Sequence, residues 1–297
     1  MTLPRQTLSY LRNLLSGRGI RPKNKLGQNF LIDLNLLDLI VSTADLSKTD
    51  GILEVGCGAG TLTGRLSEAA GAVVTVDVDP AFFELTRELM QNEPHVRVML
   101  ADALKNKNEL NSVVLDAFDM QCKSFGCTRR KLVANLPYVV ATPVIANLLI
   151  GPMQFESFTV LVQWEIAERM TAQPGQKEHG ALALLMQSLA DVTVVRRLGP
   201  TVFWPKPQVD SAIVHIVPDA ERRARVGDPV AFRVFLRDLY SHRRKNLRGA
   251  LAGWPSGRRE KSDVDRILDE LGIDGTVRAE QLGVNEHLRL CAAFSSR

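Results

Sequence analysis

The sequence lacks the cysteine and histidine patterns that metal sites usually show. It has four cysteines and five histidines in 297 residues, and no two cysteines form a CxxC pair. The histidines have no ligand-like spacing to one another or to the cysteines. We therefore expect no bound metal, and we expect the cysteines to be reduced thiols with structural roles. The cysteines are Cys57, Cys122, Cys127 and Cys291, and the histidines are His95, His179, His215, His242 and His287.

Long apolar runs are also absent. No run approaches the roughly 20 residues that span a bilayer, and residues 1–16 are basic and amphipathic, without the continuous apolar core of a signal peptide. Aromatic residues make up only 6% of the chain, while the hydrophobic fraction of 45% is ordinary. A chain of this length can bury a core without disulfides. These features predict a soluble, cytoplasmic protein with no membrane partner, and we expect a monomer.

Acidic residues are missing from the N-terminal segment. Residues 1–32 contain six basic residues and no acid, and residues 221–260 contain eleven basic residues against four acids. The net charge of the whole chain is only +4, so the rest of the chain is acidic overall. Such a concentration of positive charge is typical of proteins that grip a polyanion, although two solvated basic faces would give the same counts.

Short, β-branched apolar runs alternate with helical patterns through most of the chain. This order predicts an α/β fold in which a mostly parallel sheet is covered by helices on both faces. We predict seven strands in that sheet. The predicted strands are 52–55, 73–76, 96–100, 132–134, 158–162, 192–196 and 212–217, and the predicted helices are 61–69, 80–90, 165–171 and 181–190.

The chain changes character after Pro218. No convincing strand follows, and arginine-rich segments with helical spacing cover 231–241 and 245–252. Ser262 is predicted to cap a helix over 263–271, and Gly272 to end it. The sequence therefore predicts two domains, an α/β domain of residues 1–218 that includes the basic N-terminal segment, and a small, basic, all-helical domain of residues 219–297.

A strand runs into a glycine-rich turn and then a helix at Ile52-Leu53-Glu54-Val55-Gly56-Cys57-Gly58-Ala59-Gly60-Thr61. The three glycines allow a tight turn and let a ligand approach the main chain. Because position 61 is threonine, the dinucleotide fingerprint GxGxxG is not met. No GxxxxGK[ST] phosphate loop occurs either. An acid followed by alternating glycines is instead typical of Rossmann-like enzymes that use S-adenosylmethionine.

Acids also follow the next two predicted strands. Asp77 ends the second strand, where its carboxylate can accept both ribose hydroxyls of a nucleoside. Asp102 follows the third strand, where it can accept a hydrogen bond from an adenine amine. Each acid alone can be a helix cap, as we expect for Asp79 before Pro80. Together with the glycine turn, however, they predict a cofactor site at the carboxyl ends of the strands.

The fourth strand ends in Asn135-Leu136-Pro137-Tyr138, where proline forces the chain to leave the sheet. The N6 amine of adenine is a poor nucleophile because its lone pair is delocalised into the ring. Hydrogen bonds from that amine to the Asn135 side-chain oxygen and the Leu136 carbonyl would favour a more tetrahedral nitrogen. Tyr138 can stack on a base that is extruded or single-stranded. After a cofactor strand, this tetrapeptide predicts adenine methylation rather than an ordinary turn.

Three further segments complete five motifs in a fixed order. With these motifs the chain resembles the KsgA-type ribosomal RNA adenine dimethyltransferases, which are similar to the macrolide-resistance methylases, over nearly its whole length. The segments are Lys25-Leu26-Gly27-Gln28-Asn29-Phe30-Leu31, Phe203-Trp204-Pro205-Lys206-Pro207-Gln208-Val209-Asp210-Ser211-Ala212 and Arg243-Arg244-Lys245-Asn246-Leu247-Arg248.

The resemblance implies a seven-stranded S-adenosylmethionine-dependent methyltransferase domain. It implies that Phe203 faces Tyr138 across the target base. The implied product is two adjacent N6-dimethylated adenines near the 3′ end of the small-subunit ribosomal RNA, made within an immature ribosomal particle. The implied cofactor contacts are Asn29, Leu31, Gly56, Gly58, Asp77, Asp102 and Asn135.

Four basic residues near the second domain's centre are predicted to bind RNA. They fall on a turn and a half of a predicted helix, a shape suited to tracking phosphates. Trp254 nearby is either a stacking group or a core residue. The basic N-terminal segment is predicted, from charge alone, to contact RNA as well. The four predicted RNA-binding residues are Arg243, Arg244, Lys245 and Arg248.

The sequence departs from the family pattern at three positions. Asp77 stands where glutamate is usual, Val139 where a polar residue is common, and His179 where tyrosine is often seen. None of these changes removes a catalytic group. Three alternatives remain open at this point: a macrolide-resistance type enzyme acting on large-subunit RNA, a DNA adenine methylase, and an assembly or transcription factor that binds RNA without turnover.

Overall fold

The computed structural model describes residues 7–23, 26–253 and 259–295. Its contacts divide the chain into two compact units. The first comprises Met1–Ile166 and Thr193–Pro218, and the second comprises Ala167–Val192 and Asp219–Arg297. One point of division coincides with the boundary expected after Pro218. The second unit also takes in residues 167–192, which the sequence assigned to the first domain, so the assignment of domains remains a prediction.

Eleven strands are present in these described ranges. They are β1 (Phe30–Leu31), β2 (Asp50–Val55), β3 (Ala72–Asp77), β4 (Val96–Leu100), β5 (Leu104–Asn106), β6 (Glu109–Leu110), β7 (Arg129–Asn135), β8 (Ser157–Gln163), β9 (Ala190–Leu198), β10 (Phe203–Trp204) and β11 (Ser211–Pro218).

The seven predicted strands form one sheet in the order β4-β3-β2-β7-β8-β11-β9, which confirms the predicted fold class. In this sheet the neighbouring strands β4, β3, β2, β7 and β8 pair in parallel, and β11 runs antiparallel to β8. Every residue of β2 and β3 is buried. A parallel sheet covered on both faces requires such strands, and their continuous apolar runs made them recognisable in the sequence. The parallel part also aligns the carboxyl ends of β2, β3, β4 and β7 along one edge.

Thirteen α-helices accompany the strands in the part of the chain that is described. They are α1 (Leu8–Gly17), α2 (Leu34–Ala44), α3 (Thr61–Ala69), α4 (Pro80–Leu89), α5 (Ser112–Ser124), α6 (Tyr138–Ile150), α7 (Trp164–Thr171), α8 (Ala181–Gln187), α9 (Ala220–Val226), α10 (Pro229–Ser241), α11 (Leu247–Ala252), α12 (Lys261–Leu271) and α13 (Val284–Ser295). In the second unit α10 contacts α8 and α13, and α11 contacts α12. None of the described helices is long and apolar enough to cross a membrane.

Two predicted helix caps are confirmed and one is wrong. Asp79 caps α4, because its Oδ1 accepts a hydrogen bond from the Ala81 amide at 3.1 Å. Gly272 ends α12 with a φ of +61°. Ser262 is not the N-cap of that helix, since α12 begins at Lys261 and Glu260 occupies the cap position.

The prediction that Arg243, Arg244, Lys245 and Arg248 lie on one helix is also wrong. Helix α10 ends at Ser241, and α11 begins only at Leu247 because Asn246 caps it, accepting a hydrogen bond from the Gly249 amide at 3.0 Å. An asparagine that binds the backbone in this way favours a cap over a helix interior. Arg243, Arg244 and Lys245 therefore lie in a turn, and only Arg248 is on a helix.

The short strands β1 and β10 were not predicted. They pair antiparallel, with Phe30 opposite Trp204 and Leu31 opposite Phe203. Each has only two residues, too few for a periodic pattern. Their pairing brings the segment around Asn29 beside the segment that begins at Phe203.

Candidate active site

The glycine-rich turn after β2 is packed tightly against two other motif segments. Gly56, Gly58 and Gly60 have φ values of +87°, +51° and +74°, in the region that favours glycine. A Cβ at Gly56 would lie 3.1 Å from the Pro137 ring, and one at Gly58 would lie 2.9 Å from Phe30. The turn therefore fits between β1 and the loop after β7 only because Gly56 and Gly58 have no Cβ.

Asn135 ends β7, and its carboxamide is held in place. The Asn135 Nδ2 donates a hydrogen bond to the Asn29 carbonyl at 3.1 Å, which leaves the side-chain oxygen available as an acceptor. The Leu136 amide donates to the Leu161 carbonyl at 3.2 Å on the neighbouring strand. Pro137 then occupies the N-cap position of α6 with a φ of −56°. Both predicted acceptors for the target amine thus come from a loop fixed at its two ends.

Tyr138 packs against the apolar cluster that contains Phe203, and both side chains are at least partly buried. The Tyr138 hydroxyl and the Ser211 hydroxyl share a hydrogen bond of 2.6 Å. Phe203 is only 3% exposed and belongs to the apolar cluster against which Tyr138 packs. Burial raises the pKa of Tyr138, so the phenol is neutral.

Asp77 ends β3 and points toward the glycine turn. Its Oδ2 accepts a hydrogen bond from the Gly58 amide at 3.0 Å, and its Oδ1 accepts one from the Asp79 amide at 2.9 Å. Burial raises the pKa of this carboxyl group above its ordinary value. The Cys57 thiol also donates to Oδ2, at 3.7 Å. Since a carboxylate offers about four lone-pair sites, acceptor capacity for a ribose hydroxyl remains on Oδ1.

Asp102 lies beside an apolar hollow after β4. Its Oδ1 accepts a hydrogen bond from the Leu104 amide at 2.9 Å, so only part of its acceptor capacity is used. Val78 and Val139, exposed by 46% and 76%, line this hollow together with Pro137. Val139, which stands where a polar residue is common in the family, therefore adds apolar surface to the hollow in which a flat ring would lie.

A second hollow adjoins the first, and most of the predicted cofactor residues line it. It also includes Pro137 and Tyr138 of the catalytic loop. Its wall of main-chain glycines, a carboxylate and a carboxamide suits the charged methionine end and the ribose of S-adenosylmethionine. The apolar hollow beside Asp102 suits the adenine, so the residues present fit this cofactor. The predicted residues in this second hollow are Asn29, Leu31, Gly56, Gly58, Asp77 and Asn135.

A carboxyl group of the glycine motif has an unusual environment. Glu54 is 1% exposed, its Oε2 accepts a hydrogen bond from the Thr63 hydroxyl at 2.6 Å, and it lines the same hollow as Asp77. Burial raises the pKa of Glu54 from 4.5 to about 8, and the charge of Asp77 acts in the same direction. Glu54 is therefore mostly protonated at neutral pH before any cationic ligand arrives.

We expect Glu54→Gln to weaken the decline of stability as the pH rises from 4.5 to about 8. The pKa of Glu54 is about 8 in the folded protein against an ordinary 4.5, so only the unfolded chain releases this proton as the pH rises between those values. The contribution of Glu54 to folding stability is full below that window and falls through it, by about 1.4 kcal/mol per pH unit. Glutamine stays neutral and can still accept the Thr63 hydrogen bond. Urea unfolding at pH 6 and pH 8 should show the variant gaining stability relative to the wild type, and parallel profiles would contradict the assignment.

Sequence reasoning missed the contacts that hold the N-terminal motif on the site. The Gln28 Nε2 donates to the Asp79 Oδ2 at 3.0 Å, and the Lys23 Nζ lies 2.9 Å from the same oxygen. Gln28 lies within a quoted motif, but nothing in the sequence indicated its partner. These bonds tie the segment before Asn29 to the end of β3.

The predicted RNA-binding residues lie in the second unit, where they differ in their surroundings. The Arg243 guanidinium lies 3.4 Å from the Glu280 carboxylate, and Arg248 forms an ion pair with Asp265. Arg244 and Lys245 are exposed, and no ion pair to another described residue is present for either. Lys25 and Trp254 lie outside the described residues.

The departure at His179 lies inside the second unit. His179 is 2% exposed, and its Nδ1 lies 3.0 Å from the Glu280 carbonyl oxygen. Burial lowers the pKa of this imidazole. Its position therefore indicates a packing role rather than direct contact with RNA.

Known proteins resemble this chain over most of its length. The family described as "Ribosomal RNA adenine dimethylase" matches residues 19–290. "Ribosomal RNA small subunit methyltransferase A" of Pediococcus pentosaceus is 36% identical over 94% of this chain and 92% of that protein. The protein of the same name from Clostridium acetobutylicum is 35% identical over 94% of this chain and 96% of its own.

A solved structure shows the same fold. The dimethyladenosine transferase of Plasmodium falciparum matches with a TM-score of 0.70 and 24% identity, covering 89% of this chain and 96% of that one. The family match covers the glycine turn, the loop after β7 and the basic turn before α11. The chain belongs to the ribosomal RNA adenine dimethylase family.

Proposed function

We propose that this protein transfers methyl groups from S-adenosylmethionine to the N6 atoms of two adjacent adenines near the 3′ end of small-subunit ribosomal RNA. The observation that carries the proposal is the carboxamide of Asn135, fixed by Asn29 in the hollow that also holds Gly56 and Asp77. Two relatives at 36% and 35% identity, both named small-subunit methyltransferases, support this substrate over large-subunit RNA or DNA.

The residues of this chain hold the cofactor in three parts. Asn29 and Leu31 close over its methionine end, and the main chain at Gly56 and Gly58 lies against it. Asp77 accepts the ribose hydroxyls, and Asp102 accepts the adenine amine. When bound, the cofactor supplies an electrophilic methyl carbon on a sulfonium that leaves as a neutral thioether.

The catalytic loop makes the target amine nucleophilic and aligns it. The Asn135 side-chain oxygen and the Leu136 carbonyl accept the two N–H bonds, so the nitrogen lone pair is withdrawn from the ring. Because the amine loses its proton to solvent after transfer, no strong general base is needed. The main contribution of the protein is orientation of nitrogen and methyl carbon at reacting distance.

The target base must be single-stranded or extruded to reach this loop. Tyr138 stacks on one face of the base, with its ring oriented by the hydrogen bond to Ser211, and Phe203 covers the other face. Stacking of this kind tolerates any base, so the acceptors on Asn135 and Leu136 add the requirement for an exocyclic amine such as the N6 of adenine.

The second unit binds RNA through its basic turn. Arg244 and Lys245 are exposed and contact phosphates directly, and Arg243 and Arg248 do so from positions beside Glu280 and Asp265. Phosphate contacts of this kind position the enzyme without reading sequence. We further propose that the protein acts as a monomer in the cytoplasm on an immature ribosomal particle.

One assay tests this function. The protein is incubated with labelled S-adenosylmethionine and immature small subunits, and in parallel with large-subunit RNA and with adenine-containing DNA, and the modified adenines are mapped. We expect two adjacent dimethylated adenines in the small-subunit RNA. Label confined to large-subunit RNA or to DNA would overturn the proposal, as would binding of the particle without transfer.

A further inference from the structure

Three residues of the first unit form a flat, charged cluster that the proposed mechanism does not use. The Arg197 guanidinium carbon lies 4.4 Å from the centre of the Trp164 ring. The Nε and Nη2 atoms of Arg197 lie 2.8 Å and 2.7 Å from the Asp210 Oδ2. The Trp164 amide donates to the Asp210 carbonyl at 2.9 Å. We name Trp164, Arg197 and Asp210 the Trp164 platform.

The platform lies at the same edge of the sheet as the catalytic loop. Strand β8 runs parallel to β7, with Leu161 opposite Asn135. Trp164 directly follows β8, three residues beyond Leu161, which corresponds to about 10 Å along the strand. The platform therefore stands just past the end of the strand that neighbours Asn135.

The platform is also joined to Tyr138 through adjacent residues. Asp210 precedes Ser211, whose hydroxyl is hydrogen-bonded to the Tyr138 hydroxyl at 2.6 Å. Ser211 lies opposite Gln163, the residue before Trp164. One short segment thus fixes both the proposed stacking ring for the target base and the platform beside it.

The chemistry of the platform favours stacking over a phosphate contact. One face of the Arg197 guanidinium lies on the indole and its edge is bound by Asp210, yet the side chain remains 55% exposed. A guanidinium plane held in this way offers a flat surface on which an RNA base can stack. The paired carboxylate offsets its charge, so its attraction for a phosphate is weakened.

We propose that the Trp164 platform stacks the single-stranded base next to the target adenine and so positions the target on the catalytic loop. The inference rests on the proposed function, because it takes RNA to be the substrate. Stacking recognises the π-face of any base, so the ligand is an unpaired purine or pyrimidine nucleotide rather than one particular base.

Two variants test the platform, Trp164→Ala and Arg197→Lys. The lysine keeps the charge and removes the plane. With immature small subunits as substrate, we expect each variant to raise the KM for RNA by about tenfold, while kcat and the cofactor Kd stay at wild-type values. The salt dependence of RNA binding should also be unchanged, since no phosphate contact is lost. An Arg197→Lys variant with wild-type KM would overturn the inference, as would a change confined to kcat.

A matched control and an altered substrate sharpen the test. Arg87 lies over the Phe83 ring at 5.9 Å and pairs with Glu84 on α4, so Arg87→Lys removes a similar cluster elsewhere and should leave the KM unchanged. Particles with an abasic nucleotide that flanks the pair of target adenines should show the same rise in the wild-type KM, with no further rise for Trp164→Ala. The inference would be overturned if the abasic nucleotide and Trp164→Ala raised the KM additively, or if Arg87→Lys raised the KM by the same factor as the platform variants. A wild-type protein that binds intact immature small subunits but does not methylate them would overturn the proposed function, and the inference with it.

Discussion

Replacing Asn135 by alanine is expected to lower the rate of methyl transfer by about 10²–10³-fold or more. The side-chain oxygen acts where charge develops on the amine, and the structure holds it there through the 3.1 Å bond to the Asn29 carbonyl. Alanine removes this acceptor and leaves the Leu136 carbonyl alone. RNA affinity should stay within about twofold, because phosphate contacts elsewhere supply most of it.

Single-turnover rates and equilibrium binding to immature small subunits would measure these two effects separately. Asn92→Ala is a suitable control, since Asn92 is an exposed asparagine after α4 and away from the loop. Asn135→Asp keeps an acceptor oxygen but loses the donor to Asn29, so we expect an intermediate rate. Normal turnover in Asn135→Ala would contradict the catalytic assignment, and a loss of RNA binding equal to the loss of rate would show that the residue acts in binding.

The sequence predicted the inner strands β2, β3 and β8 of the central sheet because they are buried on both faces. Such strands are continuous apolar runs, and α3 and α4 follow them at the glycine turn and at Asp79-Pro80. Helix α6 escaped prediction for the same physical reason. Its residues are buried nearly all round and it contains Pro143, so it shows neither a helical period nor an uninterrupted propensity.

The positions of Gly56, Asp77 and Asn135 could be predicted because each stands at the end of a parallel strand. The rule that ligands bind at those ends needs no knowledge of side-chain contacts. The bonds that shape the site could not be predicted in this way. Asn135 meets Asn29, and Tyr138 meets Ser211, across large separations in sequence. Contacts of this kind depend on tertiary pairing, such as that of β8 with β11, which places Ser211 opposite Gln163 at the end of the sheet.

The wrong prediction for the basic cluster has a local cause. Charge and spacing favoured one helix through Arg243–Arg248, but Asn246 bonds to the backbone ahead of it and starts a new helix. The result is a turn that displays Arg244 and Lys245 to solvent. Composition indicated the charge of this surface correctly, whereas its shape depended on a single cap.

Replacing Gly56 by alanine should damage both the cofactor site and the catalytic loop. The φ of +87° costs an alanine about 1–2 kcal/mol of folding stability. The new Cβ would also lie 3.1 Å from the Pro137 ring, only two residues beyond Asn135. Displacement of that ring shifts the Asn135 carboxamide, and a shift of about 1 Å in a reacting group can lower a rate by 10²-fold. We expect a fall in kcat of about tenfold to a hundredfold, together with weaker binding of S-adenosylmethionine.

A second glycine allows the effect of the contact with Pro137 to be distinguished from the effect of backbone strain. Gly175 has a φ of +85°, nearly that of Gly56, but a Cβ there would meet nothing within 4 Å. Gly175→Ala should therefore lose the same 1–2 kcal/mol or so in urea unfolding and keep wild-type kcat and cofactor affinity. If both variants lost activity in proportion to their loss of stability, backbone strain alone would account for the lower activity of Gly56→Ala. If both variants lost the same stability and only Gly56→Ala lowered kcat, the close approach of Gly56 to Pro137 would be established as the feature that positions the catalytic loop.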